Sequence, residues 1–148
     1  MKRKLVSLIL VLMLLSACAA CGGDTEHVGR WQLVGAELEG LLTEPDVFGI
    51  NALLTLQANG TGRLTIDESE EQIRSWSVQG GRITLRTDDE TLEGSCADGY
   101  IVLTFDDGVS LYFLREGSEA PALELLDREA FEEAYAELVA AGEAMPVD

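Results

Sequence analysis

Ser75-Trp76-Ser77-Val78-Gln79-Gly80-Gly81-Arg82-Ile83-Thr84-Leu85-Arg86 decides the fold class. Apolar and polar residues alternate on both sides of a Gly-Gly pair, the pattern of two strands with one buried face each, joined by a tight turn. Cross-strand partners share a face, so loop length must match the parity of the apolar positions. A two-residue Gly80-Gly81 loop sets Val78 opposite Ile83 and Trp76 opposite Leu85, all apolar. The same device recurs downstream. Asp98-Gly99 pairs Cys96 with Ile101 and Leu92 with Phe105, and Asp88-Asp89 pairs Leu85 with Leu92. At the next turn a three-residue loop, Asp106 to Gly108, opposes Phe105 with Val109 and Leu103 with Leu111. Gly108 then takes the left-handed position such a loop needs. Upstream, a two-residue Asn59-Gly60 loop would set Leu56 against Arg63. One more residue sets Leu56 opposite Leu64 and Leu54 opposite Ile66, so a longer, bulged loop is expected there.

Working outward, the chain from Arg30 to Arg115 reads as short strands punctuated by turn residues, over 30–38, 50–57, 62–67, 72–79, 82–87, 91–97, 100–105 and 109–115. That is about eight antiparallel strands, nearly all hairpin-linked, which predicts an all-β sandwich or barrel. The one long connection, Glu39 to Gly49, carries Leu41, Leu42, Val47 and Phe48 around Pro45. An apolar loop must cover something, and one end of a barrel is what it would cap. Asp67 to Glu71 is an acidic stretch without the regular ligand spacing of a calcium loop, and reads as a solvated turn. Beyond Arg115 a linker, Ser118 to Pro121, leads to a helix over about 127–141 with Asp127 as its cap. Phe131, Ala134, Tyr135 and Leu138 form one apolar stripe, with Glu129, Glu132, Glu133 and Glu137 opposite. Gly142 and Pro146 end the helix. Its polar face is acidic, which favours packing on the barrel wall over lying on a membrane.

The N-terminus has a separate logic. Lys2, Arg3 and Lys4 precede an apolar run, Leu5 to Leu15, too short for a spanning helix of about 20 residues. Leu15-Ser16-Ala17-Cys18 follows, and it resembles the bacterial lipobox. The resemblance implies that residues 1–17 are a signal peptide and that Cys18 carries a diacylglyceryl group on its thiol. Two acyl chains suffice for stable anchoring where one is marginal. Cys21 is a rival site, but Cys18 would then stand where the motif wants an aliphatic residue. Residues 18–27 read as a lipidated tether with His27 at its end, where nothing holds it.

Charge excludes some partners. Ten basic residues stand against 27 acidic ones. Loss of Lys2, Arg3 and Lys4 leaves seven arginines and a net charge near −20, a surface that repels nucleic acid and anionic headgroups. Cys96 is either a small buried thiol or a partner for Cys21, since the outside of a cell permits disulfides. With no second cysteine at CxxC spacing from Cys96 and a single histidine, no metal or redox site is read and no cofactor is implied. No Ser-His or Cys-His pair can be assembled on the barrel from His27 in a tether, so no catalytic residue is assigned. Asp88-Asp89 and Asp106-Asp107 sit where turns favour aspartate.

A meander of about eight strands followed by a helix can close into an up-and-down barrel. The chain resembles the lipocalin-like domains of bacterial lipoproteins. Gly29-Arg30-Trp31 is similar to that family's Gly-x-Trp. The resemblance implies that Trp31 seals the closed end, with Gly29 beside it and Arg115, from the end of the last strand, lying across the indole as a cation–π partner. It places the barrel over 28–117 and the linker and amphipathic helix over 118–148. The domain is shorter than ligand-binding members of the family, so its interior is expected to be small or filled. Trp76, Leu85 and Phe105 are then candidate pocket residues or core residues. The expected function is a non-catalytic binding module for a small apolar or amphipathic ligand. It would be monomeric and held by the lipid on Cys18 at the extracytoplasmic face of the cell membrane. The alternative is a filled barrel that meets another envelope protein. The interior separates the two: a cavity of about 300 Å³ or more with an open end favours a ligand.

Overall fold

The computed structural model describes residues 26–146. Residues 1–25, on which the signal-peptide reading, Cys18 and Cys21 fall, lie outside the described residues. The strands are β1 (Gly29–Leu38), β2 (Leu41–Thr43), β3 (Ala52–Leu56), β4 (Gly62–Ile66), β5 (Ser69–Ile73), β6 (Ser75–Gln79), β7 (Arg82–Arg86), β8 (Thr91–Ala97), β9 (Tyr100–Thr104) and β10 (Ser110–Arg115). A 3-10 turn, Pro45–Val47, lies in the long connection, and one helix, α1 (Arg128–Ala140), follows the strands.

Nine strands form one antiparallel sheet in the order β5-β4-β3-β1-β10-β9-β8-β7-β6, with β2 paired on the side to β1. The sheet is a nearly closed barrel. Nine antiparallel neighbours leave the first and last running the same way, and only Arg74 separates β5 from β6 in sequence. They are two halves of one bent strand. Its first half ladders with β4 and its second half with β7. Arg74 N–H donates to the Arg86 carbonyl at 2.7 Å and Trp76 N–H to the Gly60 carbonyl at 3.0 Å, so both flanks are stitched where the strand changes partner. Counted this way the barrel has about eight strands, as the alternation of apolar residues predicts. The bent strand begins at Ser69, inside the stretch read as a solvated acidic turn.

The turn arithmetic holds at Gly80-Gly81, where Val78 faces Ile83 and Trp76 faces Leu85. It holds at Asp88-Asp89, where Leu85 faces Leu92, and at the Asp106–Gly108 loop, where Leu103 faces Leu111. At Asp98-Gly99 Cys96 does face Ile101, but the ladder stops at Gly94–Leu103 and never reaches the expected Leu92–Phe105 pair. The β3–β4 loop has the expected parity with a register two residues off: Leu56 faces Gly62 and Leu54 faces Leu64. Gln57 N–H donates to the Thr61 carbonyl at 2.8 Å, which tightens the loop to Ala58, Asn59 and Gly60. Asn59 Oδ1 completes it by accepting from Thr61 N–H at 3.0 Å.

The inward faces fill the barrel. Leu54, Ile83, Leu85, Ile101 and Phe113 are fully buried, and Trp31 and Trp76 close around them. β1 carries a bulge at Val34, between the Leu33–Phe113 and Gly35–Tyr112 pairs, which bends the strand over this core. The two barrel ends differ. One end, here called the floor, gathers the chain start, the β8–β9 turn and the end of β10. The other, the mouth, gathers the long connection and the β4–β5, β7–β8 and β9–β10 turns.

Asp127 caps α1 by accepting from Ala130 N–H at 2.9 Å. The helix is anchored before it starts. Leu126 forms a parallel bridge to Thr43, and its carbonyl accepts from Thr43 Oγ1 at 2.6 Å and from Glu44 N–H at 3.2 Å. Those bonds satisfy the buried Thr43 hydroxyl, the one buried polar residue described in the core, and hold α1 beside the mouth. No helix among the described residues is long and apolar enough to cross a membrane.

Candidate functional site

The floor is built around Gly29-Arg30-Trp31. Trp31 is 4% exposed, sits opposite Leu54 on one side and Arg115 on the other, and donates from Nε1 to the His27 carbonyl at 2.9 Å. Gly29 has φ +140, and a side chain there would press on the Arg115 stem, 3.2 Å from the position of a Cβ. Both facts require glycine. The structure therefore brings Gly29, Trp31 and Arg115 together. Their roles differ from the expected cation–π lid. The ring stacked on Trp31 is the His27 imidazole, 6.2 Å between centroids and 10° between planes. Arg115 Nη1 donates to the Glu26 carbonyl at 2.8 Å and to the Val28 carbonyl at 3.4 Å, and Nε donates to Ser118 Oγ at 3.3 Å. The guanidinium gathers the entering chain and the leaving chain, and carbonyl acceptors suit its N–H groups better than an indole face. His27 is thus a held part of the domain, not a loose residue of the tether. A pocket of about 300 Å³ lies here, lined in part by His27, Trp31, Cys96, Tyr100 and Arg115. Cys96 is half-buried in it; the pairing with Cys21 falls outside the described residues.

Trp76 and Leu85, 8% and 0% exposed, are packed within the central core. Trp76 Nε1 reaches the Gln57 carbonyl at 3.0 Å, so the indole is satisfied as well as buried. Phe105, only partly buried, packs against that core from the mouth. With Leu64, Ile66, Ser69, Glu71, Glu90 and Leu92 it lines a cavity of about 90 Å³, space for a few water-sized groups.

A larger hollow lies outside the barrel. Between α1 and the rim of the mouth runs an apolar groove of about 740 Å³, lined chiefly by Leu38, Phe48, Val109, Phe131, Tyr135 and Val139. The helix stripe supplies one wall: Phe131 meets Phe48 edge-on at 5.1 Å and lies over Tyr135 at 5.6 Å. The apolar long connection supplies the other, and so covers both the barrel end and the helix. Arg128 closes one end by donating to the carbonyls of Asp46 at 2.9 Å and Val47 at 3.3 Å. Tyr135 Oη donates to the Met145 carbonyl at 2.6 Å and draws the chain after the helix along the same groove. The stripe and the apolar loop are each visible in the sequence, separately. Nothing in either pattern shows that they face one another, because long-range bonds at Leu126 and Arg128 set the angle at which α1 leaves.

Three ionisable groups are perturbed where pairs form: Arg74, Asp88 and Tyr112. Arg74 makes a two-pronged bond to Asp88, Nε to Oδ1 and Nη2 to Oδ2, both at 2.8 Å. That hydrogen bond holds the Asp88 carboxyl below the usual aspartate range. Burial, then the hydrogen bond to Glu37 at 3.1 Å, pushes the Tyr112 phenol up. No cluster of three or more metal-ligating side chains occurs among the described residues. Comparison of the chain with protein-family models, curated proteins and solved structures finds no match.

Proposed function

We propose that this protein is a lipid-anchored, non-catalytic binding module that holds a small apolar or amphipathic molecule in the groove between α1 and the barrel mouth. The observation that carries the reading is the contrast between the two hollows. The cavity inside the mouth measures about 90 Å³ above a packed core, while the groove offers about 740 Å³ of concave, mostly apolar space. That volume lies in the range of about 300–1,000 Å³ usual for small-molecule sites. The diacyl anchor on Cys18 is the chemistry that the lipobox resemblance implies. It would keep the site beside a membrane that supplies amphipathic molecules.

The test is native mass spectrometry of the chain purified from its own host, followed by a thermal-shift panel of fatty acids, lysolipids and sterols. Retained ligand, or a melting shift that Ala136→Trp abolishes by filling the groove, supports the reading. A clean apo mass with no shift across the panel rejects it. The second reading is an envelope interaction protein, and the filled interior favours it. Cross-linking in the host membrane that captures one partner through the helix face, with no small molecule retained, would establish that alternative.

A further inference from the structure

A second hollow lies at the mouth, on the other side of the β9–β10 hairpin from the helix groove. The β8–β9 ladder runs from Ala97–Tyr100 to Gly94–Leu103 and stops there, although β8 continues back to Thr91. Above Gly94 the strands splay and leave an outer cleft of about 590 Å³. Glu90, Leu92 and Phe105 line this cleft and also line the small cavity inside the mouth. The splay is therefore a slot through the barrel wall. Facing it inside is Glu71. Its position in the bent strand matches Ile73 in parity, so its side chain points inward. Glu71 Oε2 is buried and has no hydrogen-bond partner among the described residues.

A buried carboxylate oxygen without a donor is costly, and a cationic N–H is the donor that satisfies it best. The charge around the slot selects the same sign. Glu90, Glu93 and Asp106 line the outer cleft against one cation, Arg82, which is itself 3.6 Å from Glu93. The whole chain, at −17, draws cations toward it. Leu92 and Phe105 form an apolar passage between the charged outside and Glu71. Charge at the inner end, apolar walls along the slot and an inner cavity of about 90 Å³ describe one ligand class.

We propose that the β8–β9 slot binds a short alkylammonium ion, whose ammonium group donates to Glu71 Oε2 while its chain lies against Leu92 and Phe105. Glu90 and Asp106 would serve a second ammonium at the outer end, which extends the class to aliphatic diamines. This site shares no lining residue with the helix groove, so either can fail without the other.

The test is isothermal titration of the whole chain in zwitterionic nanodiscs, with empty nanodiscs as the blank. The probes are n-butylammonium, n-butanol and butyrate, matched in shape and different in charge. The expected order is butylammonium at least tenfold tighter than butanol, with butyrate not bound. Glu71→Gln, which keeps shape and removes charge, should abolish the preference for the ammonium and leave the melting temperature equal or higher. Equal affinity for butanol and butylammonium, absence of any binding, or an ammonium preference that survives Glu71→Gln overturns the proposal. The probe series on the unaltered chain decides the matter even if the variant fails to fold.

Discussion

Gly94→Ala tests the geometry on which the slot depends. A Cβ built on Gly94 overlaps the Val102 carbonyl oxygen, and it comes within 3.1 Å of that carbonyl carbon and 3.0 Å of Leu103 Cδ2. The oxygen is backbone, and Val102 is laddered on its other side to Tyr112 of β10, so it cannot swing away. The relief left is separation of β8 from β9. Overpacking costs about 1–3 kcal/mol, and a rigid obstacle puts this case at the upper end. Loss of one ladder hydrogen bond adds about 1 kcal/mol. Restricting the unfolded chain returns about 0.4–1 kcal/mol. The net expectation is about 3 kcal/mol, or roughly 10 °C in melting temperature for a domain of this size. Gly35→Ala is the control. Its Cβ would meet only side-chain tips, Leu125 Cδ2 and Leu42 Cδ1 at 3.3 Å, and these can turn aside. Its expected cost is below about 1 kcal/mol. Urea unfolding followed by the fluorescence of the buried Trp31 and Trp76 reads both variants. Equal midpoints for the two would refute the close approach of β8 to β9 and the slot that begins above it.

Phe131→Ala should cost about 3 kcal/mol, because the ring is 8% exposed between Phe48 and Tyr135; hydrogen exchange should accelerate in α1 while the barrel strands stay protected. Tyr100→Phe removes the bond from its hydroxyl to the Pro121 carbonyl. A loss of about 1 kcal/mol and faster proteolysis within 116–126 are expected. The Asp88 carboxyl, lowered by Arg74, should titrate below the usual aspartate range by NMR. Its stabilising contribution is present above the unfolded-state pKa and is lost as pH falls through the lower folded value, so Arg74→Gln should raise the midpoint and flatten stability in that acid window. Because the pair is exposed, added salt should shrink the effect. Cys18→Ser should leave the chain unprocessed and free of diacylglycerol, read as the intact mass of the membrane-extracted protein.

Much of the barrel was legible from local rules, for a physical reason. A hairpin couples loop length, register and face, so residues a few positions apart determine the pairing. Trp76–Leu85 and Leu103–Leu111 follow from that coupling alone. It fails where two paired strands part before their ends. Leu92 and Phe105 have the right parity, yet they do not pair, because β8 leaves β9 above Gly94. It is also incomplete at Asn59, where a side-chain acceptor rather than face parity sets how tight the loop is. Glu71 illustrates the cost of reading composition before period. The acidic stretch suggested solvent, whereas its alternation with Ile73 marks an inward position.

By itself the sequence determined the class of fold, the helix and its cap, and the pairing across the short hairpin turns. Each of these depends on neighbours in the chain or on a motif complete within a few residues. Tertiary structure alone decided the rest. It placed His27 rather than Arg115 on Trp31, brought the Phe48 loop against the helix stripe to form the groove, and left Glu71 Oε2 without a hydrogen-bond partner behind the β8–β9 slot. Those features depend on distances between residues far apart in the chain. They are set by the curvature of the closing sheet and by the angle at which α1 leaves Leu126, and no local pattern encodes either quantity.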